Sequence, residues 1–323
     1  MKQILTTILL LFSLTLSAQT VDVVGPKKKQ QITAPAKPKP ATPAAKPQPK
    51  QQTKPAAPAA KPTPKPQQPK GNPKPTLPKP AAVRVSYDSS NNCIVFGNNR
   101  YKMVYVFGGS FNLGATSEQG SDAYEDEKPV HRVTVSDYYI GQTEVTQALW
   151  QAVMGTNPSN FKGTNLPVEW VSWNDCQTFI EKLNSLTGRT FRLPTEAEWE
   201  FASRGGNNSR GYKYSGSNYI DDVAWYTNNS NSKTHAVATK QANELGIYDM
   251  NGNVWEWCSD WYDSNYYKNS DSNNPRGAHT GSSRVHRGGS WDSDARYCRV
   301  SYRRDFTPDF RDYNLGLRLV LRP

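Results

Sequence analysis

Residues 26–80 hold 17 of the chain's 24 prolines and 13 lysines, with no aspartate or glutamate. Such a tract cannot build a core. It has almost no large apolar side chains to offset the entropy of ordering its backbone, proline biases it to extended polyproline II, and its lysines repel one another. At about 3.1 Å per residue it could reach on the order of 170 Å when fully extended. It reads as a spacer, and its uniformly positive charge also suits contact with anionic cell-envelope polymers. Folding is thereby confined to residues 83–323.

The same tract explains the charge. A formal net charge of +11 over 323 residues would suit a nucleic-acid binder if it were spread evenly. From Val83 to Pro323, however, 25 Lys+Arg stand against 27 Asp+Glu. That near-neutral part gives no electrostatic reason to expect DNA or RNA as a partner. The opening "MKQILTTILLLFSLTLSA" has one lysine, an apolar core and a small-residue end, the pattern of a secretory signal peptide cut after Ala18. Its apolar run is too short for a membrane span, and no cysteine follows it to carry a lipid anchor. The expected organisation is a signal peptide over 1–18, a linker over 19–82 and one domain over 83–323, secreted or periplasmic at the cell envelope.

Within the domain, helical spacing is sparse. "TEVTQALWQAVMG" predicts a helix with Thr143 as N-cap, an apolar set of Val145, Ala148, Leu149, Ala152 and Val153, and Gly155 as its stop. "SWNDCQTFIEKLNSLTG" predicts a second, capped by Ser172 with Asp175 three residues on, burying Trp173, Cys176, Phe179, Ile180 and Leu183. A short third helix follows Pro194, with Thr195 and Glu198 as its capping box. The remainder alternates short β-prone runs ("VYVFGG", "HRVTVSDYYIG", "LGLRLVLR") with long Gly, Asn, Ser and Asp loops. Loops of that length inside a compact domain need outside help from bound cations or packed aromatics.

Cys93, Cys176, Cys258 and Cys298 permit zero, one or two disulfides, with three full pairings. Their spacing fits no CxxC metal pattern, and the four histidines lack zincin spacing. "GGS" occurs at Gly108–Ser110 and Gly288–Ser290, and neither fits the GxSxG elbow of a serine hydrolase.

Seven segments, "GGSFNLG", "PVHRVTVSDYYIGQTEVTQALW", "PVEWVSWNDC", "RLPTEAEWEFASRGG", "GIYDMNGNVWEWCSDWY", "RVHRGGSW" and "NLGLRLV", resemble the successive signatures of the formylglycine-generating enzyme family, or sulfatase-modifying factors. The resemblance runs from about Met103 to Val320. It implies an α+β, variant C-type-lectin-like fold: a small twisted sheet, two to three helices, long irregular loops and bound calcium.

The resemblance also implies a chemistry. Enzymes of the family use copper and oxygen to convert a sulfatase cysteine to formylglycine, and they hold Cu(I) between two cysteine thiolates five residues apart. Here the matching segment is "GGSWDSDARYC". Ser290 and Tyr297 match family positions and Cys298 matches the second copper cysteine, but the first falls on Ser293. A serine hydroxyl is a hard, weak ligand that does not replace a thiolate on Cu(I), so copper is not expected. Cys298 is left to pair with Cys258 or to stay as a packed thiol. Calcium fares better: the family ligands fall on Asp249, Gly252, Val254 and Glu256 of "DMNGNVWEW", and a second site would use Asp222.

Loss of the cysteine pair favours a non-catalytic module that binds an extracellular or periplasmic protein or glycan. The alternatives are a formylglycine-generating oxidoreductase and a retroelement-diversified lectin-fold protein. The expected contact face runs from Trp291 to Tyr313 through Asp294, Tyr297, Tyr302, Phe306, Phe310 and Tyr313. Aromatic side chains of this kind give much contact area for little lost rotamer freedom.

Overall fold

The computed structural model describes residues 83–323; the signal-peptide and linker assignments fall outside the described residues. The strands run β1 (Val85–Asp88), β2 (Cys93–Phe96), β3 (Asn99–Val106), β4 (Gly109–Leu113), β5 (His131–Val135) and β6 (Tyr138–Gly141). Helices α1 (Gln147–Met154) and α2 (Trp173–Thr187), strand β7 (Phe191–Arg192), helix α3 (Glu196–Ser203) and the single turn α4 (Ile220–Val223) follow. Strands β8 (Trp255–Trp261), β9 (Arg284–Arg287), β10 (Arg303–Phe306), β11 (Leu315–Gly316) and β12 (Val320–Leu321) complete the order. One sheet has the order β1-β2-β3-β6-β12-β7 and a second the order β10-β9-β8-β11, with β4 and β5 pairing separately. All these pairings are antiparallel except β11 on β8.

Local sequence signals set the helix ends. Ser172 Oγ accepts from the Asp175 N–H (3.0 Å) while an Asp175 oxygen accepts from the Ser172 N–H (2.9 Å), and Gly188 closes α2 in the left-handed region. Cys176, Phe179, Ile180 and Leu183 bury against the first core cluster, as their spacing predicts, and Trp173 packs at its edge. Helix α1 departs from expectation: its N-cap is Thr146, not Thr143. Tertiary bonding delays the helix, because the Val145 N–H donates to Leu317 O (2.9 Å) and its carbonyl accepts from Val168 (2.8 Å).

Two β-prone runs are likewise divided. "HRVTVSDYYIG" breaks between β5 and β6, where Asp137 accepts hydrogen bonds from Tyr105 and from the Gly108 N–H. "LGLRLVLR" breaks between β11 and β12, which lie in different sheets, because Arg318 turns inward between them.

Every residue of α3 is buried, its three glutamates included. Glu196 accepts from Arg303 Nη2 (2.7 Å) and Nε (2.8 Å) and from Arg287 (3.3 Å). Glu200 is bonded by Arg287 and by Arg204 Nε (2.9 Å). Burial alone would raise the Glu196 carboxyl, but Arg303 and Arg287 hold it below its ordinary value. The guanidiniums also satisfy loop backbone: Arg287 donates to the carbonyls of Val300 (2.9 Å) and Ser301 (2.8 Å), and Arg303 to those of Asp126 (3.0 Å) and Asp263 (3.2 Å). Among the described residues no helix is long and apolar enough to cross a membrane.

Removing one partner of a buried pair strands the other charge. Arg287→Ala should therefore lower the unfolding free energy by about 3–5 kcal/mol. Lys128→Ala, which opens only the exposed Lys128–Glu125 pair, should change it by less than about 1 kcal/mol. Chemical denaturation of both variants checks this; equal effects would mean the α3 cluster does not hold the loops.

Candidate functional site

Strand β9 delivers the chain into Gly288 and Gly289, with φ of 97° and 76°, conformations that side chains disfavour. A Cβ on Gly289 would lie 2.5 Å from Cys298 Sγ, so the turn closes directly on that thiol. Cys298 is fully buried with Tyr214, Val223 and Tyr226, and burial pushes its thiol up to about 12. Ser293 lies 2.8 Å from Ser290 Oγ and accepts from the Ser290 N–H (3.1 Å), while Ser290 Oγ donates to Asp292 (2.6 Å). The two hydroxyls thus serve the turn, beside one protonated thiol. All four cysteines are free and buried, and Cys258 packs in the cluster around α3, separate from that of Cys298. Of the two alternatives for Cys298, the structure has the packed thiol.

The expected calcium loop lies in a buried acidic centre. Glu256 is committed to protein partners: Arg318 reaches it from Nη2 (2.7 Å) and Nε (3.0 Å), and Trp199 Nε1 donates to it (2.7 Å). Asp249, at a φ of 57°, accepts from the Ala238 N–H (2.7 Å). Sequence reasoning missed Glu144, which is fully buried and bonded by Asn253 (3.2 Å) and the Val254 N–H (3.4 Å). Burial, with Asp249 and Glu256 nearby, pushes Glu144 well above the carboxylate range; burial likewise pushes Asp249 up to about 6. Three carboxyl groups crowd one guanidinium, and burial favours the protonated forms of two of them, a cost that a bound divalent cation would offset. Asp249 and the backbone of the Gly252–Val254 turn would hold it, with Glu256 serving mainly as the partner of Arg318. Asp222 lies on α4 and accepts instead from Ser217 Oγ (2.8 Å). Among the described residues no three His, Cys, Asp or Glu side chains converge in metal-binding geometry, so backbone oxygens would have to supply most of the coordination.

The expected contact face divides into two groups. In the first, Tyr302 lies 5.0 Å from Tyr297, 5.5 Å from Tyr124 and 5.9 Å from Trp255 between ring centroids. Trp255 meets His286 (5.0 Å), which stacks on Phe306 (4.7 Å), which stacks on Phe310 (4.0 Å). Tyr297, Tyr302, Phe306 and Phe310 are half-buried and rooted in the first core cluster. In the second, Tyr313 (40% exposed) lies nearly parallel to Trp170 (43% exposed) at 6.3 Å and meets Trp291 at 5.7 Å. Asp294 is exposed and pairs loosely with Arg296 (3.3 Å).

Trp170 and Tyr124 were missed from the sequence. Trp170 has a φ of 63°, an outlier for a bulky side chain that costs on the order of 1–3 kcal/mol. It persists because its N–H donates to Asp312 O (2.9 Å) and its neighbour Val171 is fully buried. The sequence carries no signal for that backbone.

Comparison with known proteins agrees with this geometry. A family model for the sulfatase-modifying factor enzyme 1-like domain matches residues 96–323. The chain is 35% identical over 280 residues to chaperone protein LppX of Paenibacillus barcinonensis, covering 71% of this chain and 92% of that protein. It is 31% identical over 282 residues to the formylglycine-generating enzyme of Streptomyces coelicolor, covering 67% of this chain and 87% of that enzyme. Among solved structures, Treponema denticola variable protein 1 superposes with a TM-score of 0.65 at 36% identity, over 72% of this chain and 98% of that one. The fold is the expected α+β, variant C-type-lectin-like one.

The acidic centre sets a pH-dependent expectation. Asp249 binds its proton more tightly folded (about 6) than in its ordinary state (3.8). Without a cation, stability from this group is present below pH 3.8 and lost as pH rises through 6. Calcium would restore it by binding only the folded state. Chelator should therefore lower the melting temperature more at pH 7.5 than at pH 5, and Asp249→Asn should abolish that difference. Identical melting curves with and without chelator at both pH values would remove calcium from the site.

Proposed function

The chain belongs to the sulfatase-modifying factor family, and on that premise we propose that residues 83–323 form a non-catalytic binding module of the cell envelope. Its contact face joins the exposed Trp170–Tyr313 pair to the exposed Tyr124 and the half-buried rings of Tyr297, Tyr302, Phe306 and Phe310. One observation carries this reading: in the segment from Trp291 to Tyr313, Arg299 and Arg303 turn into the core while Tyr297, Tyr302, Phe306 and Phe310 form a series of touching, half-buried rings and Tyr313 is exposed beside Trp170. Against the enzymatic alternative stands Ser293, whose oxygen is engaged by Ser290 beside a single buried thiol. The ligand class is an extracellular or periplasmic protein or glycan, displayed away from an attachment point by the proline-rich linker. Calcium at Asp249 would be structural in this reading.

A second reading is favoured by the likeness to Treponema denticola variable protein 1. In that reading buried arginines and glycines are the fixed frame and the exposed Asp292, Asp294 and Tyr313 are the positions that vary most readily, while Tyr297, Tyr302 and Phe306 vary only within the limits set by their core packing. A near-copy of the segment encoded beside a reverse transcriptase gene would support diversification, and its absence would end this reading.

The main proposal makes two measurements decisive. A sulfatase-type cysteine peptide incubated with copper and oxygen should yield no aldehyde; aldehyde that depends on Cys298 would restore the enzyme. Trp170→Ala with Tyr313→Ala should change stability by less than about 1 kcal/mol yet remove binding to cell-envelope fragments or arrayed glycans. Phe306→Ala, by contrast, unpacks a ring from buried His286 and should cost about 2–4 kcal/mol. Wild-type binding by the Trp170/Tyr313 variant would move the contact face elsewhere.

A further inference from the structure

A concavity of about 330 Å³ is lined by Phe161, whose ring meets that of Trp291 edge-on at 5.6 Å. Phe161 and Leu166 give it apolar walls, Lys162, Lys233 and His235 give it cationic and polar ones, and no carboxylate lines it. Two of these polar groups are fixed in place. The Lys162 ammonium is held by the carbonyls of Ser159 and of Asn157 (3.2 Å). The His235 ring stacks on Trp225 at 3.8 Å and 11°, and its Nε2 lies 2.6 Å from the Ser230 carbonyl. Asn253 bonds both the N–H (2.9 Å) and the carbonyl (3.2 Å) of His235, so the wall is anchored to the acidic centre's own loop. Thr234, 3% exposed, lines the pocket, and its hydroxyl has no partner among the described residues.

A buried hydroxyl without a partner is costly, and such groups point to an absent one. Lys162 and Lys233 line the same pocket and no carboxylate does, the buried Glu169 standing behind the wall where it accepts from the Phe161 N–H (2.8 Å), so the cationic lining selects an anion as the missing partner. The pocket is larger than a bare oxyanion needs and falls in the size range of small-ligand sites. Its apolar walls call for a ring beside the charge. We propose that this pocket binds an acidic sugar unit, its carboxylate between Lys233, Lys162 and the Thr234 hydroxyl and its ring against Phe161. The site is separate from the Trp170–Tyr313 face, so either can fail without the other.

Titration calorimetry of the full-length secreted chain with glucuronate, glucose and acetate tests this. Glucuronate should bind, glucose should not, and acetate should bind at least about tenfold more weakly, since it lacks the ring. Lys233→Glu and Thr234→Val should each weaken glucuronate by about tenfold or more, the loss of one charge-assisted hydrogen bond. Thr234→Val removes an unpartnered hydroxyl and should leave the fold intact, which separates lost binding from unfolding. Lys240→Glu, on the far face of Trp225 at 4.3 Å from its ring, should change nothing, and Trp170→Ala with Tyr313→Ala should leave glucuronate binding in place. Equal affinity for glucose or for acetate, or unaltered binding by Lys233→Glu, would overturn the assignment.

Discussion

Four buried arginines hold this domain together. Arg287, Arg299, Arg303 and Arg318 are all but inaccessible, and each meets a buried glutamate: Glu200, Glu127, Glu196 and Glu256. The strands are short and the loops long, so ladders satisfy only part of the backbone. A guanidinium has five donors in a rigid fork, enough to pair a carboxylate and still serve loop carbonyls. Arg318 does so for Gly141 (2.9 Å) and Tyr248 (2.9 Å), and Arg299 for Asp122 (3.0 Å) and Arg296 (2.8 Å). Buried ion pairs are weak contributors to net stability because desolvation opposes them. Their value here is specificity: each arginine fits one arrangement of loops, and others leave a charge unpaired.

The same device shapes the surface. Along β10 the side chains alternate, so Arg303 turns in and Arg304 turns out. With the charged anchors inside, the rings between them are left at the edge of the core. Tyr302 and Phe306 are therefore both structural and presented, whereas Tyr124, Trp170 and Tyr313 are chiefly surface. Segment 308–311 is fixed in turn by α2: the Asn174 N–H donates to Pro308 O (3.1 Å), and Arg311 grips Asp175 with bonds of 2.6 and 2.9 Å. A face held this rigidly loses little entropy on binding.

The turn at Gly288–Gly289 is held by packing around one buried thiol. The glycines, Cys298 and the hydrogen bond from Asn251 Nδ2 to the Cys298 carbonyl (2.6 Å) persist as packing. Ser293 completes that packing through Ser290, so the position where the family's enzymes place a copper thiolate is structurally satisfied by a hydroxyl.

What the sequence determined by itself was whatever depends on near neighbours. The caps Ser172–Asp175 and Thr195–Glu198 and the buried stripe of α2 follow from spacing. The ordered signatures identified the family, and with it the fold, and the Ser293 departure was visible from one residue. Tertiary structure decided the rest because the deciding partners are far apart along the chain. Arg299 meets Glu127 across 172 residues and Arg318 meets Glu256 across 62, so no local pattern announces that these arginines point inward. Long-range bonds from Leu317 and Val168 moved the start of α1, and inward Arg318 split the last apolar run into two sheets. Glu144 joined the acidic centre, and Trp170 joined the exposed rings, for the same reason: burial and backbone strain are imposed by the assembled fold, and spacing along the chain does not encode them.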